Sequence, residues 1–228
     1  MAEKRSPGLG AIFANIIGAV DGYVVKIEFP KKATNPKKYF NRKGCYSVLL
    51  LICVDANGYI IYYDLQYAGA THDSTAYKGS DLSTWAKCGS FDRGGKRHFI
   101  LGDAAFMTCS GVLAPYTRGS SEITMDEFNF NYFHSSLRIK VEQALGMMVA
   151  KFGILKTYLR HSLDINKKIV AACINLHNFL LSKKSTDYLE EQIIPFEGWS
   201  SKRIRYKCLS HADSGEIAFV SGGTDNDG

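Results

Sequence analysis

Three carboxylates in this chain stand where carboxylates are uncommon. Asp21 lies inside the apolar run Ile16-Ile17-Gly18-Ala19-Val20-Asp21-Gly22-Tyr23-Val24-Val25, and Asp103 ends the run Phe99-Ile100-Leu101-Gly102. Glu142 falls at the border of the apolar face of an amphipathic segment. An unpaired carboxylate in such surroundings costs several kcal/mol or takes up a proton. A shared divalent cation removes that cost. Hard oxygen ligands with no His or Cys cluster nearby suit Mg²⁺ or Mn²⁺ rather than zinc. A fourth acid, Asp73 in Thr71-His72-Asp73-Ser74, either joins or supports that cluster or caps a helix N-terminus. Each of the others has an ordinary alternative too. Asp21-Gly22 could turn between two strands, Asp103 could cap a helix, and Glu142 could pair with Arg138 one turn earlier, worth about 0.3–0.5 kcal/mol.

The elements that must carry these acids follow from hydrophobic periodicity. A long apolar strand is predicted over Ile16 to Ile27, interrupted at Asp21-Gly22. Residues 30–44, with two prolines and six basic residues, read as a loop. Tyr46–Asp55 and Tyr59–Tyr67 are rich in Val, Ile, Leu and Tyr, and Ala56-Asn57-Gly58 between them signals a tight hairpin. Asp73 to Lys87 is predicted helical, with Tyr77, Leu82 and Trp85 turned to the core. Arg97 to Asp103 reads as a short buried strand, and an irregular stretch is expected from there to about Phe133. A helix capped by Ser135 or Ser136 is predicted from Leu137 to about Phe152, burying Leu137, Val141, Ala144, Leu145, Met148 and Phe152. A last helix, about Ile165–Lys183, would bury Ile169, Ala172, Cys173, Leu176, Phe179 and Leu180. Strands first, then a helix, a strand and more helices imply a mixed α/β fold around one sheet, and the hairpin excludes an all-parallel one.

Composition is consistent with this. The chain has 228 residues, 46% hydrophobic and 22% charged, which excludes wholesale disorder. Its net charge of +6 permits a polyanionic partner without demanding one. No two of the six cysteines are closer than eight positions, so there is no C-x-x-C pair, and a reducing intracellular compartment is expected. Lys4 and Arg5 before the run Leu9–Val20 superficially copy a signal peptide, but Gly10, Asn15 and Gly18 break the run and it continues into a strand pattern. A membrane span is not expected, since one needs about 20 apolar residues.

The order of motifs resembles a known family. Gly18-Ala19-Val20-Asp21-Gly22, Asn41-Arg42-Lys43-Gly44, His72-Asp73-Ser74, Leu101-Gly102-Asp103, Val141-Glu142-Gln143-Ala144-Leu145-Gly146 and Leu176-His177-Asn178-Phe179 occur in sequence. The pattern is similar to the DDE endonuclease domain of PIF/Harbinger-type transposases and the nucleases derived from them, over roughly Ile16 to Leu181. The resemblance implies an RNase H-like fold, a mixed sheet with antiparallel leading strands flanked by helices. It places the catalytic acids on Asp21, Asp103 and Glu142, with Asp73 as a further metal ligand. It implies DNA cleavage on two Mg²⁺ or Mn²⁺ ions, with Asp21 bridging, and residence in the nucleus. The basic loop with Lys31, Lys32, Lys37, Lys38, Arg42 and Lys43 then becomes the expected DNA-backbone surface, with a solvated loop as its alternative on composition.

This chain departs from the family at several places. Tyr23-Val24-Val25 stands where a His is common, Ala104-Ala105-Phe106 follows Asp103, and Val149 replaces a basic residue, with Lys151 two positions on. Only twenty residues precede Asp21, where family members usually carry a helix-turn-helix region. An isolated or shortened nuclease domain is expected, with residues 1–15 as an extension, 16–183 as the endonuclease domain and 184–228 as an extension with a disordered polar tail. A separate DNA-binding protein could supply the missing function. The alternatives are an inactive DNA- or protein-binding module and, with no positive support, a two-carboxylate hydrolase such as a glycosidase. His177 reads as a packed helix histidine rather than a ligand.

Overall fold

The computed structural model describes residues 13–183 except 90, 93 and 119–122. These residues belong to the first of two units, Met1–Pro195 and Phe196–Gly228. The beginning of the expected N-terminal extension, the expected segment 184–228 with its polar tail, and Cys208 lie outside the described residues.

Five strands form one mixed sheet: β1 (Ile16–Lys26), β2 (Ser47–Val54), β3 (Ile60–Ala68), β4 (Phe99–Leu101) and β5 (Val112–Leu113), in the order β3-β2-β1-β4-β5. The first three pair antiparallel, and β4 and β5 add parallel to β1. This is the mixed, helix-flanked sheet of an RNase H-like fold. Every residue of β2 is buried, because β2 is covered on both faces. One face, with Ala19, Val25, Leu50, Ile52 and Leu101, packs under two helices, α3 (Met125–Lys151) and α4 (Leu163–Ser182), through Val141, Ala144, Met148, Val170 and Ile174. The other, with Val20, Leu51, Cys53 and Ile100, packs under α1 (Asp73–Lys78) and α2 (Asp81–Lys87) through Tyr77 and Leu82. Each fully buried Leu or Ile contributes about 1.5–3 kcal/mol.

The hairpin between β2 and β3 is a five-residue loop rather than a tight two-residue turn, since Val54 pairs with Ile60. Asp55 closes it, accepting from the N–H groups of Asn57 and Tyr59 at 2.9 Å each, and Gly58 takes a φ of +88°. α4 pins this loop. His177, fully buried, lies with Nε2 3.0 Å from the Gly58 carbonyl, and Asn178 brackets Ile60 by bonds to both its N–H and its C=O. The Leu-His-Asn-Phe motif is thus a packing device, with His177 a packed helix histidine.

Several sequence expectations are corrected. β1 runs unbroken through Asp21-Gly22, because both residues pair in register with β2. Asp73 to Lys87 forms two helices, parted at Gly79-Ser80, where Ser80 accepts from the Ser83 N–H and starts the second. The buried strand before Asp103 is only Phe99–Leu101, and a further short strand, β5, lies in the stretch expected to be irregular. The largest miss is α3, which begins at Met125 rather than Leu137. Thr124 and Glu127 form a capping box, with the Glu127 carboxylate accepting from the Thr124 N–H at 2.8 Å. Ser136 is no cap, because its hydroxyl donates back to the Tyr132 carbonyl inside the helix. Leu137, Trp85, Ala172, Leu176 and Phe179 are exposed rather than core, because the sheet covers a narrower stripe of each helix than hydrophobicity suggests.

The five described cysteines are free thiols, four of them buried. Among the described residues no helix is long and apolar enough to cross a membrane.

Candidate functional site

The parallel pairing of β1 with β4 sets two of the acids side by side. Ala19 pairs with Leu101, and Asp21 and Asp103 each lie two residues beyond that shared rung. Side chains alternate along a strand, so Asp21 points to the same face as Ala19, the face covered by α3. There it meets Arg138. The guanidinium Nη1 lies 3.9 Å from Asp21 Oδ2, while Nη2 donates to Glu142 Oε1 one helical turn on. One cation therefore stands between the strand acid and the helical acid.

Gly22, the next residue, faces the opposite side. A Cβ there would lie 2.2 Å from Oδ1 of Asp73, so only glycine lets the Asp73 carboxylate come this close to β1. Asp73 thus approaches from the α1 side of the sheet, as the first residue of α1 after the cap His72 rather than as the cap itself. Asp103 does cap a single turn, Ala104–Phe106, accepting from the Ala105 N–H at 2.9 Å with one oxygen.

Electrostatics show that the acids sense one another. Burial pushes the Asp21 carboxyl up to about 6; the Gly22 N–H and Arg138 oppose this, and Asp103 and Asp73 add to it. Asp73 is raised by its own burial and by Asp103, and lowered by Arg42, His72 and Lys43. Asp21, Asp73 and Asp103 are one electrostatic group, and Arg138 links Glu142 to it.

The structure gives two further residues a positioning role. His134, buried one turn before Arg138, lies with Nε2 3.0 Å from the Leu113 carbonyl and ties α3 to β5 beside the Asp103 segment. Its burial lowers its pKa. Asn41, also buried, accepts from the N–H groups of Lys43 and Cys45 and donates to the Ser47 hydroxyl at 2.8 Å. It shapes the turn through Gly44, at φ +75°, that holds Arg42 and Lys43 near Asp73. A signal for Asn41 was present in Asn-Arg-Lys-Gly. His134 had none.

All six basic residues of the loop are exposed, but they divide. Arg42 and Lys43 are among the leading influences on Asp73, whereas Lys31, Lys32, Lys37 and Lys38 are not among those on Asp21 or Asp73. Val149, at the position where a basic residue is common, is buried in the core and leaves no room for a cation.

The donor chemistry fits a hard divalent cation: carboxylates throughout, partly open to water, with one raised by burial. Among the described residues, however, no three His, Cys, Asp or Glu side chains stand close enough to ligate one ion as they are. The cation in their midst is Arg138.

Comparison with known proteins agrees with the motif order. The family described as DDE superfamily endonuclease matches residues 20–178, a span that contains all four acids. "Putative nuclease HARBI1" of Rattus norvegicus is 29% identical over 169 residues, 73% of this chain and 46% of that protein. The protein of that name from Bos taurus is 28% identical over 177 residues, 76% of this chain and 48% of its own. Its namesake from Xenopus laevis is 25% identical over 189 residues, 78% and 52%. The chain spans about half the length of the curated relatives it matches. No solved structure matches.

Proposed function

Because this chain belongs to the DDE superfamily endonucleases, we propose that it is a metal-dependent nuclease domain that cleaves DNA phosphodiesters with Asp21, Asp103 and Glu142. The observation that carries this reading is the shared rung: two carboxylates on adjacent parallel strands, two residues past the same pair, with α3 bringing a third through Arg138.

In this reading Asp21, Asp103 and Glu142 would hold two Mg²⁺ or Mn²⁺ ions, Asp21 serving both and Asp103 and Glu142 one each, and Asp73 would assist across Gly22. Bound there, the metal would make a water or a 3′-hydroxyl of the DNA nucleophilic near neutral pH and offset charge at the leaving 3′-oxygen. Gly22 keeps Asp73 close to β1, and His134 holds α3 against the Asp103 segment. Arg42 and Lys43 draw the DNA backbone toward the acids, while Lys31, Lys32, Lys37 and Lys38 extend the track away from them. A DNA substrate implies residence in the nucleus.

Plasmid nicking in Mn²⁺ tests this, with the unsubstituted protein beside Glu142→Gln. Nicking that vanishes with chelator and in Glu142→Gln supports it; nicking that survives either refutes the assignment. A second reading, a binding module that kept the fold and lost activity, is favoured by one observation. Arg138 already pairs with both Asp21 and Glu142. Calorimetric titration with Mn²⁺ separates the two, since such a module need take up no metal.

A further inference from the structure

The position of Arg138 is unusual for a cation in a site built of hard acids. Its guanidinium reaches Asp21 on β1 and Glu142 on its own helix at the same time. These are the two carboxylates that the proposed function assigns to metal, one from the sheet and one from the helix. The contacts are unequal. The pair with Glu142 is a direct charge-assisted hydrogen bond, while the Asp21 contact, at 3.9 Å, is a looser ion pair. The three side chains are 24%, 17% and 22% exposed for Arg138, Asp21 and Glu142, so a hydrated ion can reach the group from solvent. Among the described residues Arg138 is the leading cation acting on Asp21: with the adjacent Gly22 N–H it opposes the rise caused by burial and by Asp73 and Asp103.

We propose that Arg138 is a built-in counter-ion of the acid cluster, and that a divalent cation taken up by Asp21 and Glu142 must displace it. This rests on the reading of those acids as metal ligands. Before metal is bound, the guanidinium holds strand and helix together at the point where two carboxylates would otherwise repel. A planar cation with five donors does this without meeting the coordination demands of an ion. Uptake of metal costs the Arg138–Glu142 hydrogen bond and the Asp21 pair, so Arg138 sets the metal affinity. Displaced, the guanidinium stays within one helical turn of the site, where an anionic phosphate is the partner of matching chemistry.

The test is Mn²⁺ titration by calorimetry on the full chain, comparing the unsubstituted protein with Arg138→Gln, Arg138→Met and the double variant Arg138→Gln/Asp21→Asn. Thermal unfolding of each is recorded with and without Mn²⁺. Arg138→Met keeps the apolar stem of the side chain if the glutamine variant folds poorly. Both single variants are expected to unfold at lower temperature without metal and to bind Mn²⁺ about tenfold or more tightly, the equivalent of about 1.4 kcal/mol. Their Mn²⁺-induced rise in unfolding temperature should exceed that of the unsubstituted protein, and the double variant should lose the gain.

Affinity that is unchanged or weaker in both single variants, with the unsubstituted protein still binding, overturns the role of Arg138 alone. Gained affinity that survives Asp21→Asn places the ion elsewhere and also overturns it. No Mn²⁺ binding in any of the proteins overturns both this role and the metal centre on which it rests.

Discussion

The acids around Asp21 and the cations of residues 30–44 carry opposite charges, and the fold treats them in opposite ways. The acids come from β1, the end of β4, α1 and α3, four elements brought together only by the sheet and its helices. They are half-buried, and Asp103 raises both Asp21 and Asp73. The six cations come from one continuous segment and are exposed to water. Sheltered charges interact strongly over short distances, whereas exposed ones are screened beyond about 8–10 Å in ordinary salt. In the proposed function, chemistry therefore falls to the first group and collective, salt-sensitive attraction to the second. Arg42 and Lys43 stand between the two, exposed yet coupled to Asp73.

The contrast can be tested in order of expected effect. Asp21→Asn should reduce Mn²⁺-dependent nicking by roughly 10³-fold or more while leaving circular dichroism unchanged. Substituting Lys31 and Lys32 to Ala should change it far less. Comparable losses in both would erase the distinction.

The next effect is on stability without metal. Burial raises Asp21 from 3.8 to about 6, so the folded chain holds a proton that the unfolded chain releases between those values. Stability from this group is therefore full below about pH 4 and falls as pH rises toward 6. At about 1.4 kcal/mol per pH unit, the loss at pH 7 is on the order of 3 kcal/mol. His134 and His177 act in the opposite sense. Burial lowers both, so each costs stability as pH falls below about 6.5. The difference between Asp21→Asn and the unsubstituted protein isolates the acid: denaturant unfolding should show the variant more stable at pH 7 and the gap nearly closed at pH 4. A gap independent of pH would mean that Asp21 is not held in a sheltered site.

DNA binding comes third. Replacing Arg42 and Lys43 by Ala should weaken binding of a short duplex roughly tenfold at low salt and reduce the salt slope by about two. The pair Lys31 and Lys32, which are not among the leading influences on Asp73, should reduce the slope similarly while leaving nicking per bound complex unchanged. Fluorescence anisotropy over a salt series, beside nicking rates, reads both. Identical nicking per bound complex in the two double variants would remove the special position of Arg42 and Lys43.

Much of the fold was legible because its signals are local. β2 and β3 announce themselves by β-branched and aromatic runs around Asn-Gly, and the acids stand out against apolar neighbours. The start of α3 was legible too, in Thr124-Met125-Asp126-Glu127, but the more obvious amphipathic stretch after Ser136 masked it. The first twelve residues of that helix carry Phe128, which is exposed, and Phe130 and Phe133, which pack partly on Tyr116 and Phe13, so no clean apolar stripe marks them. Leu176 and Phe179 failed in the opposite direction: an apolar side chain on a helix shows what could be buried, not what the sheet reaches.

The chain by itself determined most of the elements and which of them bear acids. Periodicity and side-chain chemistry are properties of neighbours in sequence. Tertiary structure alone decided that Ala19 pairs with Leu101, that Gly22 opens β1 to Asp73, and that Arg138 reaches past Glu142 to Asp21. Those contacts depend on register and packing between elements far apart in sequence. A shift of one residue along β4 would have turned Asp103 to the other face.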